Sequence, residues 1–158
     1  MAQQLWILRH GEAVPHDSKP DADRELTARG ERQATTAGAA LARLGVEFAA
    51  IYTSPKVRAV DTAKLAAESL NTEPEVEEVL ANGFDRDDAL ELLGRHDADA
   101  RVLVVGHDPS FTQVVYDLTG GRVDFKKGAV AAIRIEGREG ELIAFLRPRE
   151  LESLAITD

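Results

Sequence analysis

Two runs of four apolar residues, Leu5-Trp6-Ile7-Leu8 and Val102-Leu103-Val104-Val105, carry no polar alternation. A strand that is apolar at every position must be covered on both faces, which is the habit of parallel sheets packed between helices. Both runs stop abruptly at polar residues: Arg9-His10-Gly11-Glu12 after the first, Gly106-His107-Asp108-Pro109 after the second. Ala49 to Thr53 reads as a third strand of this kind and ends at Ser54-Pro55. The fold expected is α/β, a three-layer α/β/α sandwich around a mostly parallel sheet.

Helical patterns fill the intervals between these strands. Thr27 is placed as an N-cap, with Ala34, Ala37, Leu41 and Leu44 following at helical spacing and Gly45 where a C-terminal glycine belongs. Ser54-Pro55 and Asp108-Pro109 each read as a cap followed by proline at the first helical position. Ala59, Ala63, Ala66 and Leu70 then form one buried face, and Phe111, Val114, Val115 and Leu118 another. Asp85 to Arg95 is expected to be helical with Leu92 and Leu93 inside, while Glu73 to Leu80 is polar and ambiguous, at most a short strand. Ala129 to Ile135 and Leu142 to Leu146 read as two strands joined across Gly137 to Gly140, a hairpin that would make the sheet mixed. The tail from Pro148 to Asp158 is weakly patterned, and no repeat or linker divides the chain, so residues 1–158 are expected to form one domain.

Composition narrows the function classes. A net charge of −9 opposes general affinity for nucleic acid or an anionic membrane, and no apolar stretch is long enough to span a bilayer. Met1-Ala2-Gln3-Gln4 does not open a secretory signal, and the chain has no cysteine, so disulfides and thiolate metal sites are excluded and a cytoplasmic setting is expected. Any phosphate site must be locally positive against a repulsive background.

Open α/β sheets bind ligands beyond the carboxyl ends of their strands, which nominates the three loops after Leu8, Thr53 and Val105. They supply Arg9, His10, Arg58 and His107. Two guanidiniums and two imidazoles make an anion site, because the planar arginine fork donates paired hydrogen bonds and keeps its charge. A neutral imidazole can also attack phosphorus, dividing one displacement into two easier ones.

Leu8-Arg9-His10-Gly11-Glu12, Leu26-Thr27-Ala28-Arg29-Gly30 with Gln33-Ala34, Thr53-Ser54-Pro55 with Arg58-Ala59 and Thr62-Ala63, and Val105-Gly106-His107 follow one another along the chain. This order resembles the histidine phosphatase superfamily, which includes cofactor-dependent phosphoglycerate mutases, and within it the small phosphohistidine phosphatases of the SixA type. The resemblance implies that His10 is the nucleophile and that Arg9, Arg58 and His107 hold phosphate oxygens. It also implies that the Gly11 carbonyl orients the His10 ring. Glu25 stands where the family often has proline, and the roughly twenty residues between Glu78 and Arg101 leave no room for the mutases' lid insertion. The substrate so implied is phosphohistidine on a protein, with a small phosphomonoester as the alternative and a non-catalytic phospho-ligand module as a third reading. No cofactor or metal is implied.

Glu78 is the candidate general acid, with Glu77, Asp17 and Asp21 behind it. His16 and His96 are read as surface residues, Ser54 and Asp108 as caps, Glu12 as a possible arginine partner, and Lys126-Lys127 as solvated charge unless substrate docks there.

Overall fold

The computed structural model describes residues 2–156; residues 1, 157 and 158 of the expected domain and tail lie outside that range. Six strands form one sheet: β1 (Gln3–Arg9), β2 (Ala50–Thr53), β3 (Pro74–Val76), β4 (Arg101–Gly106), β5 (Val130–Glu136) and β6 (Glu139–Leu146). Their order is β3-β2-β4-β1-β5-β6. The pairs from β3 to β1 are parallel, whereas β1–β5 and β5–β6 are antiparallel. The sheet is therefore mixed, with the apolar runs of β1 and β4 side by side at its centre. Leu5, Ile7, Leu8 and Val102 to Val105 are fully buried, as strands covered on both faces must be.

Helices α1 (Ala28–Arg43), α2 (Val57–Ala67) and α5 (Pro148–Ala155) cover one face; α3 (Arg86–Leu93) and α4 (Ser110–Thr119) cover the other. Ala37, Leu41, Ala59, Ala63 and Ala66 pack beneath the first layer with Trp6, Leu8, Leu103 and Val105. Leu92, Leu93, Phe111, Val114, Val115 and Leu118 pack beneath the second. This is the expected three-layer sandwich. Between β3 and β4 lie only a 3₁₀ turn at Glu78–Leu80 and the eight residues of α3, so no lid domain is inserted there.

Local expectations fail in four places. Leu44 is 47% exposed, because α1 ends at Arg43 and Leu44 is already its C-cap. Pro55 is not helical: α2 starts at Val57 with Lys56 as N-cap, and the Ser54 hydroxyl accepts the Lys56 N–H at 3.2 Å from outside the helix. Pro109 takes the N-cap position of α4, while the Asp108 carboxylate accepts the Thr112 N–H at 3.0 Å from one residue further out. The tail is a helix, opened by Pro148 in the first turn and by Glu150 accepting the Arg147 N–H at 3.0 Å. Its Leu151 is buried with the α1 layer.

One backbone contact positions the loop after β1. Gly11 and Gly30 meet so closely that a Cβ on Gly11 would lie 2.4 Å from the Gly30 carbonyl oxygen. A Cβ on Gly30 would lie 2.0 Å from the carbonyl oxygen of Glu12. That oxygen accepts the Thr27 N–H at 3.0 Å, and Thr27 caps α1 by accepting the Gly30 N–H at 3.1 Å. Gly30→Ala should cost about 3 kcal/mol of stability, since the obstacle is backbone and cannot rotate away. Gly94→Ala, at a right-handed helical position with its nearest neighbour at 3.3 Å, should change stability by less than about 1 kcal/mol. Urea titration of the two variants compares them directly.

Candidate functional site

The carboxyl ends of β1, β2 and β4 lie side by side, so Arg9, Thr53 and Gly106 deliver their following residues to one point. A small cleft of about 110 Å³ opens there, lined by Arg9, His10, Ala13, His16, Arg24, Arg58, His107, Asp108 and Lys127. All four basic residues expected at the site are present. The His10 and His107 ring centroids are 5.1 Å apart.

His10 is 5% exposed, and its Nδ1 lies 2.7 Å from the Gly11 carbonyl oxygen. A carbonyl only accepts, so Nδ1 carries the proton and Nε2 keeps its lone pair. Arg58 Nε–H donates to that Nε2 at 3.3 Å. The Gly11 N–H in turn donates to Thr62 Oγ1 at 3.1 Å, and Thr62 Oγ1–H to the Arg58 carbonyl at 2.7 Å. Arg58 and Thr62, one turn apart on α2, thus tie the His10 loop to the guanidinium beside it.

His107 Nε2 lies 2.7 Å from Ser54 Oγ. Because that oxygen already accepts the Lys56 N–H, its own proton is free to go to Nε2, leaving His107 Nδ1 as the ring's donor. His107 Nδ1 and Arg9 Nε are both buried and find no partner among the described residues. Arg9 donates its other end to the Phe125 carbonyl at 2.6 Å. Unpaired buried donors are rare and signal a functional constraint or a ligand.

Burial holds both rings neutral. The pKa of His10 is pushed down to about 3, first by burial and then by His107, Arg58 and Arg9, against the opposing pull of the Gly11 carbonyl. His107 is likewise lowered to about 3, by burial and then by Arg58 and Lys56. Burial also lowers the guanidiniums of Arg9 and Arg58, which remain cationic at neutral pH.

The carboxylates are placed differently from expectation. Glu78 is exposed on the 3₁₀ turn, is absent from the cleft lining and bonds to none of its residues. Glu77 pairs with Arg95, away from the cleft. Asp17 is exposed on the first loop. Asp21 does reach the site, but as a partner for cations: it lies 3.0 Å from Lys56, 3.1 Å from Arg24 and 3.4 Å from Arg58. Its backbone carbonyl accepts a second bond from Arg58 at 2.7 Å. Hydrogen bonding to Lys56 and the charge of Arg58 hold its carboxyl well below the usual range, so it stays ionised. Glu12 accepts Thr27 Oγ1–H at 2.9 Å and meets Arg29 only at 3.8 Å.

Five residues of the lining lie beyond the four expected: Ala13, His16, Arg24, Asp108 and Lys127. His16 and Lys127 are exposed, as read from the sequence, and border the cleft as well; Asp108, read as a cap, does both; Arg24, read only as part of a motif, is buried. The Asp21-x-x-Arg24 spacing, one turn apart, was a usable signal for the last; nothing local distinguishes His16. Among the described residues no three His, Asp or Glu side chains group as metal ligands, and no helix is long and apolar enough to cross a membrane.

A pH dependence follows from the two rings. Each binds a proton near pH 6.5 when unfolded and only near 3 when folded. Between those values the unfolded chain holds more protons, so stability falls as pH falls below about 6.5 and loses nothing above it. The loss reaches up to about 1.4 kcal/mol per pH unit per ring. Denaturant unfolding at pH 7 and pH 5 should show a smaller acid loss in a His10→Gln/His107→Gln double variant than in the wild type. Parallel losses would refute the neutral rings.

Comparison with known proteins gives this geometry a context. The sequence profile of the histidine phosphatase superfamily (branch 1) matches residues 5–83. An uncharacterised protein of Picosynechococcus sp. strain PCC 7002 is 34% identical over 139 residues, covering 83% of this chain and 84% of its own. A 2,3-bisphosphoglycerate-dependent phosphoglycerate mutase of Rhizobium etli is 32% identical over 104 residues, 64% of this chain but 49% of the mutase. The solved structure of the protein histidine phosphatase SixA complexed with tungstate superposes with a TM-score of 0.83 at 28% identity, covering 94% of this chain and 99% of that one. The profile spans half of the chain and the Picosynechococcus relative most of it: the chain belongs to the histidine phosphatase superfamily.

Proposed function

We propose that residues 1–158 form one cytoplasmic phosphatase domain that removes phosphate from phosphohistidine on another protein, with His10 as nucleophile. The observation that carries this reading is the His10 ring, held neutral with Nδ1–H on the Gly11 carbonyl and Nε2 turned to Arg58 in the cleft. The Nε2 lone pair attacks phosphorus as the substrate's P–N bond breaks, its electron pair passing to the departing imidazole, which takes up a proton. The Arg58 Nε–H exchanges its bond to Nε2 for a phosphoryl oxygen. Positive charge arising on the phosphorylated ring is met by the Gly11 carbonyl at Nδ1–H. Water then attacks the phosphorus, the P–Nε2 bond breaks, and its electron pair returns to His10 while inorganic phosphate leaves.

Arg9, Arg58 and His107 surround the transferring group with donors that need no reorganisation, the main source of electrostatic catalysis. The unpartnered Arg9 Nε and His107 Nδ1 are satisfied when an oxyanion enters. SixA was solved with tungstate, a tetrahedral oxyanion, which suits the same chemistry. No cofactor or metal enters these steps. A cleft of about 110 Å³ accepts a phosphoryl group and little more, whereas small-molecule sites usually enclose about 300–1,000 Å³. This favours a phosphorylated side chain presented from outside. The mutase relatives keep small phosphomonoesters as the second reading. A binding module without catalysis is disfavoured by the complete set of His10, Arg9, Arg58 and His107 at one cleft.

The proton for the leaving group is assigned to His16, an imidazole that lines the cleft, in place of Glu78, which lies outside it. His16→Ala should slow hydrolysis of an alkyl phosphate by about 10²-fold and of a phosphohistidine peptide far less, because imidazole leaves more readily than alkoxide. Glu78→Gln should alter neither rate; a large loss confined to the alkyl phosphate in that variant would return the role to Glu78.

The parent reading is tested by acid-quenched mass spectrometry. Wild type mixed with a phosphohistidine peptide should carry one phosphoryl group on His10, and His10→Ala should lose about 10⁴-fold in turnover with EDTA without effect. Turnover that survives in His10→Ala would overturn it.

A further inference from the structure

The cleft does not end at Arg9 and Lys127. Both residues also line a neighbouring hollow of about 320 Å³ that runs past Lys126 and Arg29 to Pro148. Arg29, Gln33 and Pro148 then pass it on to a second hollow of about 310 Å³, lined further by Arg32 and Glu152. The result is a trough leading from the catalytic cleft along the start of α1 to the start of α5. It carries five cations, Arg9, Arg29, Arg32, Lys126 and Lys127, against two carboxylates, Glu12 and Glu152. The chain as a whole has 19 basic and 28 acidic residues, so the charge ratio inverts along the trough as it does in the cleft.

Apart from Arg9, which belongs to the phosphate cleft and is tied to the Phe125 carbonyl, these cations are free to act. Among the described residues Arg32 and Lys127 have no carboxylate within ion-pair distance, and Arg29 meets Glu12 only at 3.8 Å with its side chain 69% exposed. Lys126 pairs with Asp124, but both side chains are largely exposed, at 63% and 82%, so the pair is weak and exchangeable. A positive strip on a negative body steers and orients acidic partners while the rest of the surface repels them. The trough is open, so it suits an extended chain rather than an enclosed metabolite, and its mouth is shared with the phosphate cleft.

We propose that this trough docks an acidic segment of the substrate protein adjoining its phosphohistidine, and so selects among phosphorylated partners. This rests on the phosphohistidine reading above. Arg29→Glu/Arg32→Glu is a suitable probe, because acidic residues near the start of a helix are favourable and α1 should fold unimpaired. Three phosphohistidine peptides of equal length, flanked by Asp/Glu, by Ser/Gly or by Lys, are compared with free phosphohistidine at low and high salt. Wild type should favour the acidic peptide by about tenfold in KM over the neutral one, and the advantage should vanish near 1 M salt. The double variant should lose that factor on the acidic peptide alone, with free phosphohistidine turned over as before.

Equal treatment of the three peptides by wild type, or an equal loss on free phosphohistidine in the variant, would overturn docking. Calorimetric binding of the unphosphorylated acidic peptide to wild type and to the double variant reads the trough without any chemistry. If no phosphohistidine compound is turned over yet that peptide still binds through Arg29 and Arg32, the substrate assignment fails and the acidic docking stands. Preference for inorganic triphosphate over every peptide would mark the trough as a small-polyanion site instead and overturn the proposal.

Discussion

The site depends on one hydrogen bond made in a desolvated place, from His10 Nδ1–H to the Gly11 carbonyl. An imidazole set among guanidiniums in water would be free to rotate and to present either nitrogen. Here the carbonyl of the next residue settles the tautomer, and burial with nearby positive charge removes the competing proton. What remains is a neutral ring whose lone pair faces the Arg58 guanidinium across the cleft.

The surrounding fold makes this bond dependable. Gly11 approaches Gly30 at a distance that excludes any side chain, and Thr62 on α2 accepts the Gly11 N–H. Gly128 N–H closes the other side, lying 3.0 Å from the Arg9 carbonyl and 3.1 Å from that of His10. The His10 loop is thus held by α1, by α2 and by the turn into β5, three segments remote in sequence. Asp21 serves the same end from above, since it holds Arg58 by carbonyl and carboxylate together and is balanced by Lys56 and Arg24. Its strongly lowered pKa makes it a permanent anion that orders cations, which is why a carboxylate so close to the site is unsuited to giving up protons.

Legibility varied with the range of the information. The runs at Leu5–Leu8 and Val102–Val105 announced buried strands because nothing polar interrupts them, and the site's two arginines and two histidines follow strand ends where α/β sheets place ligands. The helix α5 was missed although Pro148, Glu150, Leu151 and Leu154 mark a start and a buried stripe; eight residues are too few for periodicity to stand out. Glu78 was nominated because the resembled family often places a carboxylate after the third strand, yet the 3₁₀ turn leaves it outside the cleft, whereas His16, in a loop with no pattern, lines it.

Residue chemistry and local periodicity were enough, without coordinates, to anticipate an α/β sandwich and the meeting of Arg9, His10, Arg58 and His107 at one cleft, since both are written in short stretches of chain that end strands. The strand order β3-β2-β4-β1-β5-β6, the tautomer and neutrality of His10, the conversion of Asp21 from acid candidate to cation holder, and the basic trough beside the cleft were decided only by the tertiary structure. Each of these depends on distance and burial between groups far apart in sequence, and those quantities come into being when the chain packs.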